Sequence, residues 1–148
     1  MRLAILLTLS ALSLCAQNSN SGDSPKPKPN ADPPVSQDDI RIVRRASELL
    51  NSPARWNRAD NRQCPPEAGT YSLYCALQQA TNEVSKKFEH LGAAMQQARF
   101  VIDEDLSKGN HYEHRLMDYN NDPKTTFADV QRFFALLEER ILKRLNAQ

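Results

Sequence analysis

The chain has 148 residues, 25% of them charged and 40% hydrophobic, with 19 basic against 18 acidic side chains. So even a balance argues against a phosphate-backbone binder, which needs a basic face and a high domain pI, so no nucleic-acid partner is expected. The four glycines form no phosphate-cradling loop, and neither a Walker pattern nor a nucleophile elbow is present. In chain order, residues 3–14 (LAILLTLSALSL) form an apolar run behind Arg2. The run is too short to cross a bilayer as a helix and matches the core of an export signal. Cleavage behind Ala16 gives a signal peptide over 1–16 and a mature chain with 18 basic and 18 acidic side chains. Residues 17–35 are rich in Pro, Ser and Asn and read as a disordered tether, leaving 36–148 for one helical domain.

An alternative address is lipidation at Cys15. The run Leu12, Ser13, Leu14, Cys15 resembles a bacterial lipobox but carries Leu14 where Gly, Ala or Ser is required. The protein is expected to be periplasmic or extracellular, with no transmembrane helix in the mature chain and a membrane contact only through lipid on Cys15. Two cysteines then remain, Cys64 and Cys75, and in an oxidising compartment they predict one disulfide. A loop that short is stabilised by roughly 2 to 3 kcal/mol on the chain-entropy account.

The first helix is expected to start at Ser36 as N-cap with Asp39 completing a capping box, and to bury Ile40, Val43, Ala46 and Leu50. It stops at Asn51, Ser52 and Pro53. Trp56, the single tryptophan, reads as an anchor whose indole N–H takes a backbone partner. Residues 57–70 (NRADNRQCPPEAGT) form a polar loop, longer than usual in a compact domain, with Cys64 as its pin. From Leu73 to Leu106 apolar residues recur at three and four, which predicts two helices broken between Thr81 and Gly92, with Cys75 on the first turns of the earlier one. Ser107, Lys108, Gly109 and Asn110 read as a helix stop with Gly109 as left-handed cap. A short helix follows over residues 111–119. Asn120, Asn121, Asp122 and Pro123 form a turn, and Thr126 with Asp129 caps a last helix that buries Phe127, Val130, Phe134, Leu137, Ile141 and Leu145. The fold class is therefore all-α, with four or five helices.

Candidate chemistry is sparse. His111 and His114 lie three residues apart, close enough on a helix to share a metal, but no third ligand is evident. With Asp118 and Asp122 they make the candidate site of a small metal-dependent hydrolase. Cys75 as a nucleophile needs a free thiol, which the second cysteine argues against. Asp103, Glu104 and Asp105 read as a solvated helix face. No cofactor is implied.

Trp56, the segment from Ser72 to Leu77 with Ala80, and Tyr119, Asn120, Asn121 and Asp122 followed by Thr126 and Val130, resemble a family of small bacterial helical domains of unknown function. Its members show a tryptophan near the first helix, a Cys-x-x-Gly-Ala-Leu-like helix start and a Trp-Asn-Asp turn before a Thr-capped last helix. Here Tyr119 replaces the Trp and one Asn is added. The resemblance spans about residues 46–145 and implies an all-α domain without naming an activity. Function is accordingly read as an exported module that binds a protein or glycan of the cell envelope through the loop 57–70 and a surface of Trp56, Tyr119, Asn121 and Asp122.

Overall fold

The computed structural model describes residues 32–66 and 68–148. Five α-helices account for most of them: α1 (Gln37–Leu49), α2 (Leu73–Ser85), α3 (Ala93–Val101), α4 (Arg115–Asn121) and α5 (Phe127–Asn146). The α1 helix lies at the centre, packed on α2 and α5, while α3 crosses α5 and α1, and α4 rests on α2. The apolar stripes that periodicity predicts meet in one core, in which Val43, Leu73, Leu77, Val101, Val130, Phe133, Leu137 and Ile141 are fully enclosed. Among the described residues no helix is long and apolar enough to cross a membrane. The signal segment, Cys15 and residues 17–31 of the expected tether lie outside the described residues. Residues 32–35, the end of that tether, are part of the packed domain. Val35 is buried, and Asp32 accepts from Gln97 Nε2 at 2.8 Å and pairs with Arg144 at 2.7 Å.

The helix ends follow local rules where the sequence supplies caps. Thr126 and Asp129 form the expected capping box on α5, with Thr126 N and Oγ1 both donating to the Asp129 carboxylate. Asp39 does more than its own helix asks of it. Its Oδ2 accepts from Ser36 N and Oγ, each at 2.8 Å, and its Oδ1 accepts from Ala94 N at 2.9 Å. Since α3 opens on Gly92, which has no side chain to cap with, a carboxylate from α1 satisfies one of its orphan N–H groups. The break between α2 and α3 falls at residues 86–92, with Lys86 as a left-handed C-cap at φ +61°. Gly109, at φ +86°, takes the left-handed conformation expected of it.

Some expectations are corrected. On α5 the fully buried aromatic is Phe133, while Phe127 and Leu145 are only partly covered, because α5 meets both α1 and α3 and so buries a broader face than one stripe. Asn120 and Asn121 are the last residues of α4, and the turn begins at Asp122. The acidic run is exposed, as expected, and carries ion pairs: α3 widens into a π-helical turn over residues 102–106, from which Asp103 pairs with Arg115 at 2.6 Å and Glu104 with Arg140 at 2.6 Å. Replacing Asp39 with Ala removes acceptors from two helix starts and is expected to cost about 2 kcal/mol, twice the usual loss for one cap. Chemical denaturation of that variant beside Thr126→Ala, expected to lose about 1 kcal/mol, checks the ratio.

Candidate functional site

The loop 57–70 is closed at its base by two backbone bonds. Asn57 N donates to Tyr71 O at 2.9 Å and Tyr71 N donates to Arg55 O at 2.8 Å, so Trp56 and Tyr71 form an isolated bridge. Midway along it Cys64 is bonded to Cys75 on the first turn of α2, the pairing expected of these two cysteines. Between these pins, α4 holds the loop by side chains. Asn121 Nδ2 donates to Asp60 O and Asn121 Oδ1 accepts from Asp60 N, each at 2.8 Å, so one amide replaces the pairing a neighbouring strand would give. Asp60 Oδ1 in turn accepts from Arg62 N at 2.7 Å, and Arg62 is held in the left-handed region at φ +60°.

Asn120 lies beneath this contact, fully buried. Its Oδ1 accepts from Trp56 Nε1 at 2.9 Å and from Leu73 N, the first residue of α2, at 3.1 Å. Its Nδ2 donates to Asn57 O at 3.0 Å and to Asn121 Oδ1 at 3.1 Å. Trp56 is thus the anchor expected of it, with a side-chain carbonyl in place of the backbone partner. The Arg58 guanidinium covers its ring at 4.9 Å and reaches back to the carbonyls of Pro123 and Thr125.

The other candidate surface residues are engaged within the domain. Tyr119 is buried against Tyr112, with ring centroids 6.1 Å apart, and burial, ahead of the nearby Asp129 charge, pushes its hydroxyl up to about 12. Asp122 accepts from Lys124 N and from Tyr112 Oη, each at 2.9 Å, and those bonds, the backbone one first, hold its carboxyl below the usual range. His111 and His114 precede α4 and do not share a helix face; both are exposed. Asp118 accepts from His114 N at 2.7 Å, which orients the entry to α4. Among the described residues no three His, Cys, Asp or Glu side chains converge where a metal could be held, and His111, His114, Asp118 and Asp122 do not gather.

One feature escapes a reading by spacing. A cavity of about 170 Å³ is lined by Arg62, Tyr74, His90, Arg99, His114 and Arg115, with Leu91, Leu116 and Met117 as its apolar part and Glu113 also lining it. These residues come from the loop, α2, the α2–α3 connection, α3 and the start of α4, so no local motif marks them. Arg99 Nη2 donates to His90 Nε2 at 3.1 Å, and Tyr74 Oη lies 3.4 Å from His90 Nδ1. Burial, with the charges of Arg99 and Arg62, holds His90 below its ordinary value. A neutral imidazole that accepts at Nε2 carries its proton on Nδ1, facing Tyr74, and leaves the Tyr74 O–H free to donate into the cavity.

Fold and site together define a small all-α domain whose longest loop is stapled by a disulfide and clamped by a pair of helix-borne amides. The chain belongs to the Family of unknown function (DUF6197), which it matches over residues 34–140. No curated protein and no solved structure matches it.

Asn120→Ala would leave the Trp56 indole N–H, the Leu73 N–H and the Asn57 carbonyl without their partner. At about 1 kcal/mol or more for each buried group, a loss of about 3 kcal/mol is expected in chemical denaturation. The acid limb of stability reports the carboxylates. Bonds from Thr126, the hydroxyl first, hold Asp129 below its usual range as Asp122 is held. Both contributions are complete above the unfolded carboxylate value of about 3.9 and are lost as pH falls through the lower folded values. Thermal melts of the wild type and of an Asp122→Asn, Asp129→Asn double variant are therefore expected to differ at pH 7 and to converge in strong acid.

Proposed function

We propose that the protein is an exported binding module that meets a protein or glycan of the cell envelope through the loop 57–70. The observation that carries this reading is how that loop is held. A disulfide, a backbone bridge at its base and the Asn121 clamp fix it, yet Asn61, Gln63, Pro65 and Pro66 are exposed. Fixing an exposed polar loop lowers the conformational entropy lost when a partner binds, and rigidly carried loops are where recognition residues concentrate. A bridge linking residues 64 and 75 also suits an oxidising compartment. In this reading Trp56, Tyr119, Asn121 and Asp122 act as the frame of the contact surface. The mature chain begins after Ala16, with lipid on Cys15 as the alternative that would hold it at a membrane.

Alkylation of the exported protein without reductant is expected to label neither Cys64 nor Cys75; two reactive thiols would remove the oxidising address. For the partner, immobilised mature protein is expected to retain a defined component of envelope extract by crosslinking. An Asn61→Trp, Gln63→Trp variant with an unchanged melting temperature should lose it. A wild-type protein that stays strictly monomeric and retains nothing would refute the binding role.

A further inference from the structure

The cavity beside the stapled loop concentrates positive charge in a chain that is close to neutral overall. Arg62, Arg99 and Arg115 all line it. Arg115 is neutralised by Asp103 at 2.6 Å. Among the described residues neither Arg62 nor Arg99 has a carboxylate partner. Among the described residues the half-buried Arg99 donates to neutral acceptors, Gln96 Oε1 at 2.5 Å and His90 Nε2 at 3.1 Å. Holding an unpaired guanidinium partly out of water costs free energy that a bound anion would offset, and bonds from a guanidinium to an ionised acid are about twice as strong as neutral ones. Arg62 is brought to the cavity in a left-handed conformation that a side chain rarely adopts, fixed there by the Asp60 carboxylate on its N–H.

The cavity is not lined by charge alone. Leu91, Leu116 and Met117 give it an apolar part, and its 170 Å³ is close to the roughly 150 Å³ of an engineered cavity known to take a benzene ring. A bare inorganic ion would leave that surface uncovered. We propose that this cavity binds a small organic anion, its acidic head group held by Arg99 and Arg62 with the Tyr74 hydroxyl, and its compact apolar body resting on Leu91, Leu116 and Met117. This site is distinct in chemistry from the envelope contact and does not depend on it. Glu113, which also lines the cavity, opposes an anion and so limits affinity.

Calorimetric titration of the mature, disulfide-bonded protein with benzoate, phenyl phosphate, inorganic phosphate and benzamide tests the proposal. One site is expected for benzoate or phenyl phosphate, the tighter of the two naming the head group, with the neutral benzamide weaker by about tenfold or more. Arg62→Gly suits the backbone at φ +60° and so leaves the fold intact. It and Arg99→Gln should each weaken binding by about tenfold, while Glu113→Gln strengthens it by about threefold. A melting temperature of Arg99→Gln that is unchanged or higher separates a lost ligand contact from a lost fold; if that variant unfolds, Arg62→Gly decides. The proposal is overturned if neither organic acid binds, if benzamide matches benzoate, or if affinity survives the arginine changes. Inorganic phosphate binding as tightly as phenyl phosphate would overturn the part assigned to the apolar surface. Retention of an envelope component with no acid bound refutes this site alone, and the converse refutes the envelope contact alone.

Discussion

The buried carboxamide of Asn120 is the interaction on which the rest of the structure depends. An amide offers two acceptor positions and two donors, and all four are used, by Trp56, Leu73, Asn57 and Asn121. A fully enclosed polar group is tolerated only when satisfied, and once satisfied it admits one arrangement of its neighbours. Asn120 therefore fixes, from the end of α4, where α2 begins, how the tryptophan corner is seated and where the long loop departs. The chain of bonds continues outward. Asn121 clamps Asp60, and Asp60 holds the backbone of Arg62, which lines the basic cavity. Core order is in this way transmitted to the long loop and to the basic cavity.

A second regularity is that helix ends are capped by side chains from elsewhere in the fold. The start of α3 is satisfied by Asp39 of α1, and the first N–H of α2 by Asn120 of α4, with Ser72 capping the same helix locally. Arg58 bridges in the opposite direction, from the loop to the carbonyls of the α4–α5 turn. Such caps tie the satisfaction of helix ends to tertiary packing. The π-helical turn after α3 has a similar effect on charge, since it carries Asp103 to Arg115 and Glu104 to Arg140, while the cavity arginines Arg62 and Arg99 have no acidic partner among the described residues.

Features set by neighbours in the chain were legible without coordinates. The steps of three and four along α1, α2 and α5 announce helices, Ser36 with Asp39 and Thr126 with Asp129 announce the starts of α1 and α5, and Gly109 announces a stop, because each depends on dihedral preference or on a bond spanning three residues. The pairing of Cys64 with Cys75 was legible for another reason: two cysteines admit one bridge. His111 and His114 do not share a face, because residue spacing implies one only inside a helix and α4 starts after them, at Arg115. The acidic run is exposed as its composition predicts, but the arginines it pairs with, Arg115 and Arg140, lie on other helices and could not be read from spacing.

The sequence by itself determined that the domain is helical, where most helices begin, and that its long loop carries a staple, all properties of local geometry and residue type. Only the tertiary structure decided the role of Asn120, whose four bonds reach residues 56, 57, 73 and 121. It also decided the basic cavity, which gathers residues 62, 74, 90, 99, 114 and 115 from separate segments. Spacing along a chain encodes which side chains share a face of one element. It does not encode which faces meet, because that follows from packing the whole core at once.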